Sequence, residues 1–194
     1  MGRYDGGAYT KVILEGDIHT VNQTAAGLPT RDDAKTFIYA YLYGAGDEKI
    51  GTIVGGSAKD GAKLKASFLK KTPALKKLKE AIDKTVKEKG YLTGLDGREL
   101  PIRSTHAALN TLLQSAGAIV MKKALVILAD KLKGLDARFV ANIHDEWQIE
   151  CKEDIADLVG KLAVESIREA GEYFNFRCPL DGEYKIGGNW CETH

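Results

Sequence analysis

Apolar positions recur every three to four residues through most of this chain and alternate only in short stretches. The start is one such stretch: over residues 1 to 20, TKVILEGDI alternates loosely between Gly-rich turns and predicts a hairpin. A loop then ends in Leu28-Pro29-Thr30. Thr30 suits a helix N-cap and Asp33 the acidic position of a capping box, so a helix is expected from about Arg31 to Tyr43, stopping at Gly44. From Asp47 to Lys89 the spacing is helical, with a break at GGSAKDG and a new start at Pro73. Gly90-Tyr91 and the following GLDGR predict a strand, a tight turn and a strand. Ser104 is placed to cap a long helix reaching about Leu132, whose nearly all-round apolar interior predicts burial over most of its length. Beyond Gly134, ARFVANI and WQIEC read as strands flanking His144-Asp145-Glu146. An amphipathic helix over about Glu153 to Phe174 would put Ile155, Leu158, Val159, Leu162 and Ile167 on one face. The tail, GEYKIGGNWCETH, is expected to hold a short strand and a tryptophan.

Composition adds bounds to this picture. A chain of 194 residues, 44% hydrophobic and 28% charged, can form one domain with a real core or two small subdomains. No apolar run is expected to reach the ~20 residues of a membrane span, and MGRYDGGAYT lacks a signal-peptide pattern. A cytoplasmic location and no membrane partner are expected. Cys151, Cys178 and Cys191 are odd in number and lack CxxC spacing, which predicts reduced thiols used in packing. His19, His106, His144 and His194 form no zinc motif, and Gly56 to Lys63 fails as a phosphate loop because no Ser or Thr follows the lysine. The net charge of +1 is uninformative, but between Lys59 and Lys89 eleven lysines face four acids. Such a run is a solvated face or an attraction to phosphates.

Three groups of residues carry chemistry. In RDDAKTFIYAYLYG, Arg31, Lys35, Tyr39 and Tyr43 recur every four residues, so on a helix they form one slowly winding row. Two cations for phosphates precede two phenols for sugar and base, an order that could grip a nucleotide from end to end; half-buried tyrosines of an ordinary amphipathic helix are the alternative. His144-Asp145-Glu146 between two strands presents acids at a hairpin tip, which suits Mg²⁺ but by itself equally describes an exposed acidic turn. Arg103 precedes a helix on which His106, Asn110 and Gln114 sit four apart among apolar residues. Polar groups in that setting need partners, either inside the protein or on a ligand.

The pattern R-x-x-x-K-x-x-x-[FY]-x-x-x-Y-G resembles the fingers motif of family A DNA polymerases. GDIHT followed by NQTAAGLPTRDDAKTFIYAYLYGAGDEKIG is similar to the bacteriophage branch of that family, and the similarity runs through Trp190 and His194. The resemblance implies an α+β chain: a hairpin over 1–21 on the palm side, a mostly helical fingers subdomain over 22–88, and the C-terminal half of an antiparallel-sheet palm over 89–194. It implies nucleotidyl transfer from a dNTP to a primer 3′-hydroxyl on primer–template DNA. His19, Arg31 and Lys35 would meet the incoming phosphates, Tyr39 the sugar and Tyr43 the base. Asp145 would be a ligand of two catalytic Mg²⁺ ions, with Glu146 an accessory acid and His144 orienting the turn or the primer end. Arg103, His106, Asn110 and Gln114 would line the minor groove, above the small residues Ser115, Ala116 and Gly117. Ala40 departs from the family's usual glycine. The resemblance further implies a second catalytic aspartate ahead of Met1, because neither Asp5 nor Asp17 stands in the family's D-x-S-x-x-E-L-R context. A separate N-terminal polymerase half is therefore an expected partner. A non-catalytic DNA-binding module is the alternative.

Overall fold

A computed structural model describes residues 2 to 193. Met1 and His194, the latter named in the expected similarity, lie outside the described residues. The chain forms two compact units, Met1–Leu113 and Gln114–His194, and the division falls inside one long helix.

The first unit opens with α1 (Gly2–Asp5), α2 (Ala8–Glu15) and α3 (Ile18–Ala26). This overturns the hairpin expected over 1–21. The helices prevail because two aspartates satisfy their first N–H groups: Asp5 accepts from Gly7 and Tyr9, and Asp17 from His19. Against those caps the loose alternation of TKVILEGDI is a weak signal. Next come α4 (Arg31–Leu42), α5 (Asp47–Ile53), α6 (Ala58–Lys71) and α7 (Pro73–Lys89). Thr30 and Asp33 form the expected reciprocal cap of α4: the Asp33 N–H donates to Thr30 Oγ1, and that hydroxyl donates to the Asp33 carboxylate. A short hairpin, β1 (Tyr91–Thr93) with β2 (Glu99–Pro101), matches the expected strand–turn–strand.

One core holds this unit together. Ala34, Phe37, Ile38 and Tyr41 form the inward face of α4 and meet Ile50, Phe68, Leu75, Ile82 and Leu92. Phe37 and Phe68 pack edge to face with centroids 5.1 Å apart. A Cβ at Gly61 of α6 would strike the backbone of Asp47 and Gly51, so the close crossing of α5 and α6 requires a glycine there. Burial pushes the Tyr41 phenol up to about 12.

Helix α8 (Thr105–Lys131) is 27 residues long. Ala108 and Leu109 are buried in the first unit; Val120, Ala124 and Leu128 are buried in the second. The expectation of burial over most of its length is not met, since Leu113 is 42% exposed and Val126 57%. An all-round apolar sequence does not say which side is covered; that depends on what packs against it. By length and composition alone α8 could also cross a membrane, which corrects the reading of the apolar runs.

The second unit continues with the antiparallel pair β3 (Ala137–Ile143) and β4 (Glu146–Cys151), then α9 (Ala156–Tyr173) and α10 (Trp190–Thr193). A register irregularity between Phe139 and Ala141 leaves Val140 exposed. On α9 the buried positions are Val159, Gly160, Ser166, Ala170 and Gly171, whereas Leu158, expected inside, is 45% exposed. Glycines let the tail lie close: a Cβ at Gly160 would collide with the Tyr184 ring. The tail itself has no strand among the described residues, contrary to expectation. It is extended coil held by side chains, including Tyr184 donating to Asp157 at 2.6 Å.

Candidate nucleotide-binding row and carboxylate turn

The row on α4 is built by its own helix period. Because Ala34, Phe37, Ile38 and Tyr41 turn inward, Arg31, Lys35, Tyr39 and Tyr43 are all exposed. The Tyr39 and Tyr43 rings stack 18° from parallel, with centroids 6.4 Å apart. His19, on α3, adds to the same surface, its ring 6.4 Å from that of Tyr39. Its Nδ1 is buried without a hydrogen-bond partner among the described residues. Asp17 was not singled out by the sequence reading, yet it grips Arg31 through two hydrogen bonds of 2.7 and 3.2 Å. The Arg31 guanidinium, with the Thr20 hydroxyl, holds the Asp17 carboxyl well below the usual carboxylate range. Any anion that binds the Arg31 guanidinium head-on would thus have to displace a carboxylate.

The sign of this coupling is testable. A depressed carboxyl stabilises the fold above its unfolded pKa and loses that contribution as pH falls through its folded pKa. In an NMR titration the Asp17 carboxyl should remain ionised at pH values where an ordinary aspartate is half protonated. Arg31→Gln should move its midpoint back up.

The end of α4 also meets α8. Gly44 follows the Tyr43 cap with φ 80°, and a Cβ there would come 2.5 Å from the His106 carbonyl oxygen. The end of the Arg31–Lys35–Tyr39–Tyr43 row thereby sits against the residue that starts the His106–Asn110–Gln114 row. Gly44→Val must lose both the left-handed backbone and this approach, and is expected to cost about 3 kcal/mol in a denaturant melt. His106 and Gln114 are exposed, and Asn110 Oδ1 between them is buried without a partner among the described residues. Arg103 is exposed just ahead of α8.

In the second unit the tip of the β3–β4 hairpin is His144-Asp145, since Ile143 pairs with Glu146. His144 has a left-handed φ of 54°, which a non-glycine residue adopts at a cost on the order of 1 kcal/mol. Asp145 is exposed. Glu146 is partly buried and tied down: its Oε1 accepts from Gln148 Nε2 and, at 3.1 Å, from Trp190 Nε1. Thr193 Oγ1 in turn donates to Gln148 Oε1 at 3.2 Å. The tail thus clasps the carboxylate turn through residues 44 and 45 positions away, a link that no local pattern signals. Among the described residues no three His, Cys, Asp or Glu side chains converge as a metal cluster. The exposed carboxylate here is Asp145, which fits a share of a Mg²⁺ site, because that ion uses one or two carboxylates plus substrate phosphates.

Residues 13–192 match the model of DNA polymerase family A. The chain belongs to that family. It is 50% identical over 217 aligned residues to the DNA-directed DNA polymerase of Enterobacteria phage T3 and 48% identical to that of Escherichia phage T7. Each alignment spans 100% of this chain and 31% of the phage enzyme, so the chain spans about a third of the length of these relatives. DNA polymerase I of Bacillus caldotenax is 28% identical over 98% of the chain and 23% of its own length. Among solved structures, the POL domain of Pol1 from M. smegmatis, in complex with DNA primer-template and dNTP, superposes with a TM-score of 0.74. That match covers 84% of this chain and 33% of the other at 19% identity, a likeness of fold. The α+β class of a family A polymerase chain is therefore correct.

Proposed function

We propose that this chain carries out template-directed DNA synthesis as the fingers and C-terminal palm portion of a family A polymerase. The observation that carries the reading is the exposed row Arg31, Lys35, Tyr39 and Tyr43, flanked by His19 and abutting the start of the His106–Asn110–Gln114 row. Lys35 and Arg31 neutralise the triphosphate, Arg31 exchanging Asp17 for phosphate oxygens, and His19 supplies a further hydrogen bond. Tyr39 faces the sugar and Tyr43 supports the base. Arg103 binds backbone phosphate. His106, Asn110 and Gln114 contact minor-groove acceptors, which every base pair presents, so they test pairing geometry without reading sequence. Asp145 would hold Mg²⁺ at the turn, with Glu146 an accessory acid beside it, and His144 orients that turn or the primer end. When bound, the metal pair lowers the pKa of the primer hydroxyl and neutralises charge on the departing pyrophosphate. Positioning and charge neutralisation are the protein's share of the catalysis.

The second catalytic aspartate is supplied by an N-terminal polymerase polypeptide, acting on primer–template DNA in the host cytoplasm. The division into fingers over 22–88 and palm over 89–194 belongs to the same reading. The test is single-nucleotide extension by the two polypeptides together. Each template base should direct incorporation of its complement only, and changing that base should change the nucleotide used. Retained DNA binding with no incorporation of any nucleotide would instead describe a DNA-binding module.

A further inference from the structure

The lysine-rich helices α6 and α7 divide into two kinds of surface. On α7 the cations are interleaved with acids, giving ion pairs Lys76–Glu80, Lys79–Asp83 and Lys84–Glu88 at i,i+4 spacing. The surface of α6 is different. Gly61 and Phe68 are its buried positions, which leaves Lys59, Lys63, Ala66 and Lys70 in one outward stripe. Ala62, Ala66 and Ser67 fill the same exposed side, so no bulky side chain stands between the lysines. The one acid on α6, Asp60, is committed elsewhere: its carboxylate accepts from the Ser57 N–H at 2.9 Å and from the Ser57 hydroxyl at 2.7 Å. The same carboxylate also pairs with the exposed Lys63 at 3.6 Å. Lys59 and Lys70 have no ion pair among the described residues. Lys59 also stands in the first turn of α6, where the helix dipole disfavours a cation, so local helix stability does not account for it.

We propose that the outward face of α6 is a second DNA contact, a sequence-independent cradle for the phosphate backbone of duplex DNA. The inference rests on the polymerase reading only in taking DNA as the partner. Eleven residues at 1.5 Å rise put Lys59 and Lys70 about 16 Å apart, the axial length of about five base pairs. The small residues between the lysines let a backbone approach closely. Surfaces for single strands add aromatic platforms on which bases stack. This face has none, and it has no Arg, Asn or Gln to read base edges. Its chemistry is therefore that of backbone contact alone.

The test is the salt dependence of binding. A fluorescent blunt duplex is titrated with this chain between about 50 and 200 mM salt, beside the Lys59→Gln/Lys63→Gln/Lys70→Gln variant. Three lost phosphate contacts should lower the slope of log K against log salt by about 2.7. Across that range the variant should lose about 40-fold less affinity than the parent. The triple Lys→Arg variant should keep the parent slope, and thermal melts should show all three proteins equally folded. An unchanged slope, or no duplex binding by the parent, overturns the proposal. So does a loss confined to an oligothymidine strand, which indicates a single-strand surface, or to polyglutamate, which indicates an acidic protein partner. Because the readout needs no nucleotide and no second polypeptide, its failure is separate from a failure of template-directed synthesis.

Discussion

Asp145→Ala should lower primer extension by about three orders of magnitude or more while leaving primer–template affinity within about twofold. The reason is where charge develops. An attacking alkoxide and a departing pyrophosphate concentrate negative charge, and on the proposed function the cations that offset it would depend on this carboxylate. In the proposed function DNA binding would draw instead on Arg103, the polar row of α8 and backbone contacts, none of which Asp145 would supply. The substitution should not act by unfolding the hairpin. Asp145 is exposed at the tip, and the Ile143–Glu146 pair closes the turn without it. Surface changes of that kind usually stay within about 0.5 kcal/mol. Single-turnover extension, DNA anisotropy and a thermal melt on the same variant separate these contributions. A pure DNA-binding module would show no loss in any of the three.

Lys35→Ala should reduce kcat/KM for the incoming nucleotide by about two orders of magnitude, and by more than Arg31→Ala does. Both side chains face solvent on the same row, but they start from different states. Arg31 is held by Asp17 and must give up that pair to bind phosphate. Lys35 has no ion pair among the described residues, so its charge is available to the nucleotide without that exchange. Lys35→Arg should restore part of the loss, because charge is kept while the compact ammonium geometry is not. Single-turnover kinetics at varied dNTP concentration would check the ranking. A larger effect at Arg31 than at Lys35 would contradict it.

The helix bearing the nucleotide row was legible because its signals are local. Thr30, Asp33 and Gly44 mark its ends, and the four-residue spacing places Arg31 to Tyr43 on one side. The β3–β4 hairpin was legible for the same reason. Residues 1 to 20 were misread because the deciding groups, Asp5 and Asp17, act as single caps that a period count does not register. Leu158 and the outer side of α8 could not be placed, since apolar spacing shows which residues can be buried but not what is present to cover them. The two contacts that tune the site, Asp17 to Arg31 and Trp190 to Glu146, join residues 14 and 44 positions apart. An N-cap aspartate just ahead of His19 was a hint of the first. Nothing in the sequence pattern pointed to the second.

On the proposed function, Asp145 is one of two metal-holding aspartates, and the other lies outside these 194 residues. The most direct measurement compares Mg²⁺-dependent primer extension by this chain alone, by a polypeptide carrying the upstream aspartate alone, and by the two mixed. Extension is expected only in the mixture, abolished by chelating the metal. Extension by this chain alone would contradict it, because a second metal-holding carboxylate would then lie within these residues.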